Sequence, residues 1–256
     1  FRRVLFRSKI IKNVYTTDRA FLFHTLDDKL FACGDISFGG EIPNHIKTLL
    51  NSSQIHIVRI ISNSDSFIVT YKDTISTQNN KVIAWGNVYI DDISYNLINI
   101  TNTIANETAY IALKNNESLI SWGSDVSTNF QYGAIIPYRL IFDVTDDVHS
   151  IFANRYGFTV IKTDNTLFSW GSLFDISDIN QPENKILINN DIMRYEVYIY
   201  KNNPPYDETI SGEMIHSFNT LRIPSLKNHN YVHIYSTDNA FCAIDNSSNI
   251  IFWGKF

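Results

Sequence analysis

"FTVIKTDNTLFSWG" occupies Phe158 to Gly171. Two short runs rich in β-branched and aromatic residues flank a polar break, "KTDNT". Such runs favour strands, and Asp and Asn favour the turn between them, so the stretch reads as a β-hairpin. Its last two residues recur. All four Trp of the chain precede Gly, at Trp85, Trp122, Trp170 and Trp253. A fifth pair, Cys33-Gly34, ends "KLFACG" in the manner of "KVIAWG", "SLISWG" and "NIIFWG".

A second anchor keeps phase with the first. Twelve residues before Cys33, Trp122, Trp170 and Trp253 stand Phe21, Tyr110, Phe158 and Phe241. Trp85 reaches its equivalent, Phe67, after eighteen. A small residue precedes each aromatic (Ala20, Ser66, Ala109, Gly157, Ala240), and another lies five before it (Thr16, Ser62, Ala105, Ala153, Ser236). Seven before it the residue is Val14, Ile60, Thr103, Ile151 or Ile234. Fixed offsets of this kind mark a repeat. The long gap from Trp170 to Trp253 predicts a degenerate unit in which "EMIHSF" stands for "KVIAWG". There Ser217 falls in the Trp column and Tyr198 in the aromatic column.

About 40 residues per unit is the size of a four-stranded propeller blade. The reading is an all-β propeller of six recognisable blades, or part of a seven-bladed one, over residues 9–256. The repeat resembles that of the regulator of chromosome condensation family, whose blades end in an aromatic followed by Gly. It also resembles the shorter blades of the type II β-lactamase inhibitor protein. The family's Gly-Gln-Leu-Gly tail is absent here. The resemblance implies a propeller and, as an activity class, guanine-nucleotide exchange on a small GTPase. No contacting residue of that activity maps onto this chain.

Residues 1–8, "FRRVLFRS", read as the translation of a widely used DNA-sequencing adaptor on a fragment from a sequencing read, and are left out of the fold reading. Without Arg2, Arg3 and Arg7 the basic residues fall from 21 to 18 against 26 acidic ones, and formal charge moves from −5 to −8. An acidic chain is a poor nucleic-acid ligand, because phosphate neutralisation supplies most of that affinity. No apolar run approaches the roughly 20 residues that span a bilayer.

No catalytic or cofactor motif emerges. The seven His form no HExxH, and no GxSxG, P-loop or GxGxxG occurs. Asp27-Asp28, Asp91-Asp92 and Asp146-Asp147 lack the ligand spacing of a calcium loop. Cys33 and Cys242 stand in packing columns. The four Trp end apolar runs, which favours core over sugar stacking. "FACGDISFGGEIP" (Phe31 to Pro43) is Gly-rich, but no Lys/Ser partner or following helix is visible for a phosphate cradle. It pairs instead with "SWGSDVSTNFQYGAIIP", aligning Gly39 with Gly133 and Pro43 with Pro137. Both read as the corner by which the chain leaves a blade.

The expectation is therefore a non-enzymatic scaffold, monomeric, without metal or cofactor, that binds a protein. Exchange-factor activity and carbohydrate binding are the alternatives. Two predicted hairpin extensions, Asp73–Asn80 and Asn202–Gly212, interrupt the same strand pair in different units and carry the candidate contacts. These are Asp73, Gln78 and Asn79 in the first, and Pro204, Pro205, Tyr206 and Asp207 in the second. Loops on a rigid scaffold are where binding residues concentrate.

Overall fold

The computed structural model describes residues 10–74, 80–88, 96–123, 132–136, 144, 146–171, 187–188, 191–192, 196–200, 218–223, 231–248 and 250–254. The chain divides into two compact units, residues 1–100 and 101–256. Both are built from antiparallel sheets.

In the first unit, β1 (Ile11–Thr16), β2 (Ala20–Thr25) and β3 (Leu30–Gly34) form one three-stranded meander. After a 3-10 turn and α1 (Asn44–Leu50), β4 (Ile55–Ser62), β5 (Ser66–Asp73) and β6 (Asn80–Gly86) form another. One face of the first sheet, with Leu22, packs on the face of the second that carries Phe67 and Trp85. Helix α1 was not legible in the sequence, because seven residues are too few to show a period. It buries Ile46 and Leu50, an i, i+4 pair on one face.

The second unit repeats the plan. β7 (Ile100–Ala105), β8 (Ala109–Lys114) and β9 (Leu119–Gly123) make one sheet. β10 (Val148–Ala153), β11 (Gly157–Lys162) and β12 (Leu167–Gly171) make the next, and Ile111 of β8 shares a core with Phe158 and Trp170. The last sheet holds β17 (Tyr231–Ser236), β18 (Ala240–Asp245) and β19 (Ile250–Gly254). Two strand pairs join the outer edges. β13 (Leu187–Ile188) pairs with β19 and with β14 (Asp191–Ile192), whereas β16 (Phe218–Ile223) pairs with β12 and with β15 (Glu196–Tyr200).

The described residues thus show five sheets, three of three strands and two of five. Tyr198 lies on β15, whose sheet is the one begun by β10; Ser217 lies outside the described residues. The architecture is all-β and of the propeller class.

The register explains the repeat columns. Aromatic and Trp columns sit directly opposite: Phe67 faces Trp85, Tyr110 faces Trp122, Phe158 faces Trp170 and Phe241 faces Trp253. Their ring centroids lie 5.5–5.9 Å apart, the spacing at which aromatic pairs attract. All eight rings are at most 4% exposed. The small residue before each aromatic faces the Gly after each Trp, as in Ser66 with Gly86 and Gly157 with Gly171. A Cβ at Gly171, where φ is +119°, would stand 2.6 Å from the Gly157 Cα. Close approach therefore demands the two small residues together. A bulge recurs near the start of the first strand in four sheets, at Lys12, Val58, His149 and Val232.

Candidate partner-contact site

The predicted extension in the second repeat is partly visible. β5 has eight residues and β6 seven, against six and five for β2 and β3. Lys72 still pairs with Asn80, and Ile55 with Asp73, so the ladder runs past the point where the neighbouring hairpin turns. Thr74 anchors the exit of β5, since both its N–H and its Oγ1 donate to the Gln54 carbonyl, at 2.8 and 3.0 Å. Behind them Tyr71 is buried, and burial, with Asp73 beside it, pushes its phenol pKa up. Asp73 is half-buried at the strand end. Gln78 and Asn79 lie outside the described residues, as do Pro204, Pro205, Tyr206 and Asp207 of the second extension.

Beside this hairpin sits a charged cluster that the sequence reading missed. Asp28 occupies the β2–β3 turn with φ +54°. His24, buried, donates from Nε2 to Asp28 Oδ1 at 2.8 Å. His56 Nδ1 on β4 lies 3.6 Å from Asp28 Oδ2, and Lys12 Nζ on β1 lies 3.9 Å from Oδ1. One carboxylate therefore gathers partners from three strands of two sheets. His24 stands where the other repeats have Thr70, Leu113, Ile161 and Ile244. That substitution was the available signal. Among the described residues no group of three or more His, Cys, Asp or Glu is placed to hold a metal ion.

The opposite end of each sheet carries a further missed column. Four residues before each aromatic stand Thr17, Asn63, Asn106, Asn154 and Thr237. The side-chain oxygen of each accepts from backbone N–H groups two or three residues on, as Asn106 Oδ1 does from Ala109 at 2.9 Å and Thr17 Oγ1 from Ala20 at 3.0 Å. These turns lock the loop before the central strand. Two of them also hold the blade's exit corner. Thr17 donates to the Phe38 carbonyl at 2.9 Å, and Asn106 donates to that of Tyr132 at 2.5 Å.

The Gly-rich corner is then a clasp. Gly39 and Gly133, adjacent to those two carbonyls, have φ of +85° and +80°. Their own carbonyls accept the indole N–H of the next repeat's Trp, Trp85 at 3.1 Å and Trp170 at 2.9 Å. α1 does follow this corner, contrary to the expectation of no helix, but Gly39 is closed against Phe67 and Trp85 and cradles nothing. The four Trp are 0–4% exposed, so they build core and offer no sugar platform. Cys242 is half-buried and burial pushes its thiol pKa up, which suits packing over nucleophilic attack.

Comparison with known proteins places the fold. No family model matches the sequence, and no curated protein matches it. Solved structures do. The chain is similar to the structure of Kap60 bound to yeast RCC1 (Prp20), with a TM-score of 0.52 and 14% identity over 95% of this chain and 56% of that one. It is similar also to Prp20p from Saccharomyces cerevisiae, a structure described with that protein's binding to Gsp1p and histones. There the TM-score is 0.51 with 14% identity, over 94% of this chain and 56% of the other. The fold is an RCC1-like propeller fold. The chain spans just over half the length of these two proteins. No helix among the described residues is long and apolar enough to cross a membrane.

Proposed function

We propose that the chain is a non-enzymatic scaffold that binds a protein partner through the hairpin end of β4–β6. The observation that carries this reading is the β5–β6 ladder, which outreaches its neighbour while its base is fixed by Thr74 and a buried Tyr71. A reach of this kind on a packed sheet offers pre-ordered backbone to a partner, and pre-ordering lowers the entropy lost on binding. Prp20p, which shares the fold, binds proteins, and its Gsp1p and histones are the partners to try first. Titration of each against the chain, beside an Asp73→Ala, Gln78→Ala, Asn79→Ala triple variant, tests the site. The reading expects the triple variant to lose about tenfold or more in affinity, the scale of a lost hot spot. Affinity unchanged in that variant would remove the hairpin from the interface.

Exchange-factor activity is the second reading, supported by the fold shared with a Gsp1p-binding protein. A nucleotide-release assay on Gsp1p decides it, because release no faster than the intrinsic rate ends that reading.

A further inference from the structure

Repeats built on one plan serve as controls for one another. In the loop before each central strand, the residue three before the aromatic column is Asp18, Ser64, Glu107, Arg155 or Asp238, and the next is Arg19, Asp65, Thr108, Tyr156 or Asn239. The backbone of these loops recurs. Asp18 N–H donates to the Ser64 carbonyl at 2.8 Å, and Glu107 N–H donates to that of Arg155 at 3.3 Å. Neither column contributes to the apolar cores. Among these five loops, the one holding Arg155 and Tyr156 alone carries an aromatic ring in either column.

Further groups assemble around that ring. Arg155 Nη2 donates to Glu107 Oε1 at 3.1 Å, and the guanidinium carbon lies 5.4 Å from the centre of the Tyr156 ring. Tyr132, from the exit corner, sets its ring 5.8 Å from that of Tyr156, with 31° between the planes. Turn asparagines hold both tyrosine backbones. Asn106 Nδ2 donates to the Tyr132 carbonyl, and Asn154 Oδ1 accepts from the Tyr156 N–H at 3.0 Å. Burial first, and then the Glu107 charge, push the Tyr132 phenol pKa up, so the ring stays neutral beside that carboxylate. Asp238, exposed in the loop before β18, adds a second carboxylate to the field at Arg155. Both tyrosines are half-buried and Arg155 is exposed, so an ordered aromatic and charged surface meets water here.

We infer that these loops of the second unit form a protein-docking surface for a basic segment, with a lysine or arginine side chain of the partner seated against the Tyr132–Tyr156 pair. Charge selects the occupant. Two carboxylates stand beside one guanidinium, and Glu107 already pairs with it, so Asp238 is the counter-charge for an arriving cation. Aromatic faces attract a cation within about 6 Å of the ring centre, as Tyr156 does Arg155. An acidic segment would meet two like charges. The tyrosine backbones are fixed by hydrogen bonds before binding, which lowers the entropy lost on docking, and Tyr and Arg are types on which interface energy concentrates. The surface shares no residue with the β5–β6 hairpin and is independent of what that hairpin binds.

Calorimetric titration of the full chain with hexalysine at low and high salt tests it, with hexaglutamate as the control. Substitutions borrowed from the other repeats suit the scaffold: Tyr156→Asn copies Asn239, and Asp238→Ser copies Ser64. Hexalysine should bind and hexaglutamate should not. Tyr156→Asn should weaken binding by about tenfold or more. Asp238→Ser should weaken it less and reduce its dependence on salt. The Asp73→Ala, Gln78→Ala, Asn79→Ala variant should bind hexalysine as the parent chain does. Should a melting curve show Tyr156→Asn unfolded, Tyr156→Leu, which keeps bulk without the aromatic face, takes its place. Binding that neither substitution weakens would show attraction to the chain's net negative charge alone and would overturn the proposal. No binding of hexalysine, or equal binding of hexaglutamate, would overturn it too.

Discussion

Trp170 donates its indole N–H to the carbonyl of Gly133 at 2.9 Å, thirty-seven residues away in the preceding blade's exit corner. Trp85 and Gly39 repeat the bond at 3.1 Å in the other unit. The clasp unites two roles in one glycine. Its positive φ turns the chain, and its bare Cα lets the next repeat's rings come close. A Cβ at Gly39 would stand 2.6 Å from Phe67 Cδ2, and one at Gly133 would stand 3.0 Å from Phe158 Cδ2. Left-handed backbone costs an L-residue roughly 1 kcal/mol, and overpacking adds roughly 1–3. Gly39→Ala should therefore destabilise by about 2–4 kcal/mol and Gly133→Ala by less, because its contacts are looser. Urea melts of both variants check the order. Equal small losses would mean that the corner yields freely.

Trp170 itself separates packing from hydrogen bonding. Trp170→Ala should cost about 3–5 kcal/mol as a cavity opens among fully buried rings. Trp170→Phe keeps most of the volume and leaves the Gly133 carbonyl without its donor, which should cost about 1–2 kcal/mol. Denaturation midpoints at constant m-value give both numbers. If Phe proved as damaging as Ala, shape and not the N–H would dominate.

Which parts of this were legible follows from what each residue does. Trp85, Trp122, Trp170 and Trp253 could be read because burial against the same partner ring fixes residue type and offset together. The Gly after each could be read because a two-residue motif carries it. Gly39 and Gly133 could be aligned with each other, but their bonds to Trp85 and Trp170 could not be read, since those rings lie 46 and 37 residues further along the chain. The turn column of Thr17, Asn63, Asn106, Asn154 and Thr237 was present in the sequence, but residues of mixed shape hid their shared role as turn acceptors. Exposure of Phe21 was hidden for another reason. Its column is aromatic in every repeat, and only the folded chain shows that Phe21 is left half-exposed where Phe67 is covered. Of the candidate contact residues, Asp73 is the last residue of β5. His24, Asp28 and His56 were missed because the strands that bring them together are about thirty residues apart.

The hairpins between second and third strands offer a gain in stability. Asp28, Glu117, Asn165 and Ser248 occupy equivalent turn positions, with φ of +54° to +66°. Asn tolerates this left-handed conformation, whereas Glu and Ser suit it poorly. Both Glu117 and Ser248 are exposed, so replacement disturbs no packing. Glu117→Asn and Ser248→Asn should each stabilise by about 0.5–1 kcal/mol, the strain relieved at one αL position. Thermal melts read the change directly, and a lower midpoint in either variant would contradict it.

Tyr231 makes stability fall in alkali. The residue is 9% exposed, its hydroxyl meets no hydrogen-bond partner among the described residues, and it pairs across the sheet with buried Asp245. Burial, and then the Asp245 charge, push its pKa up to about 12 from 10.0. A phenol whose folded pKa is raised contributes nothing adverse below pH 10, where both states keep the proton. Above it the unfolded chain ionises first, and the folded state loses stability until the folded pKa near 12 is passed. The loss attributable to this group should approach about 2 kcal/mol, because each tenfold change in proton affinity is worth about 1.36 kcal/mol and solvent screening trims the sum. Tyr231→Phe removes the ionisation and the buried hydroxyl together. It should be neutral to about 1 kcal/mol stabilising at pH 7 and should flatten the fall between pH 10 and about 12. Urea midpoints at several pH values, compared between the two proteins, carry the test. Parallel alkaline curves would show that Tyr231 titrates as freely in the folded chain as in the unfolded one.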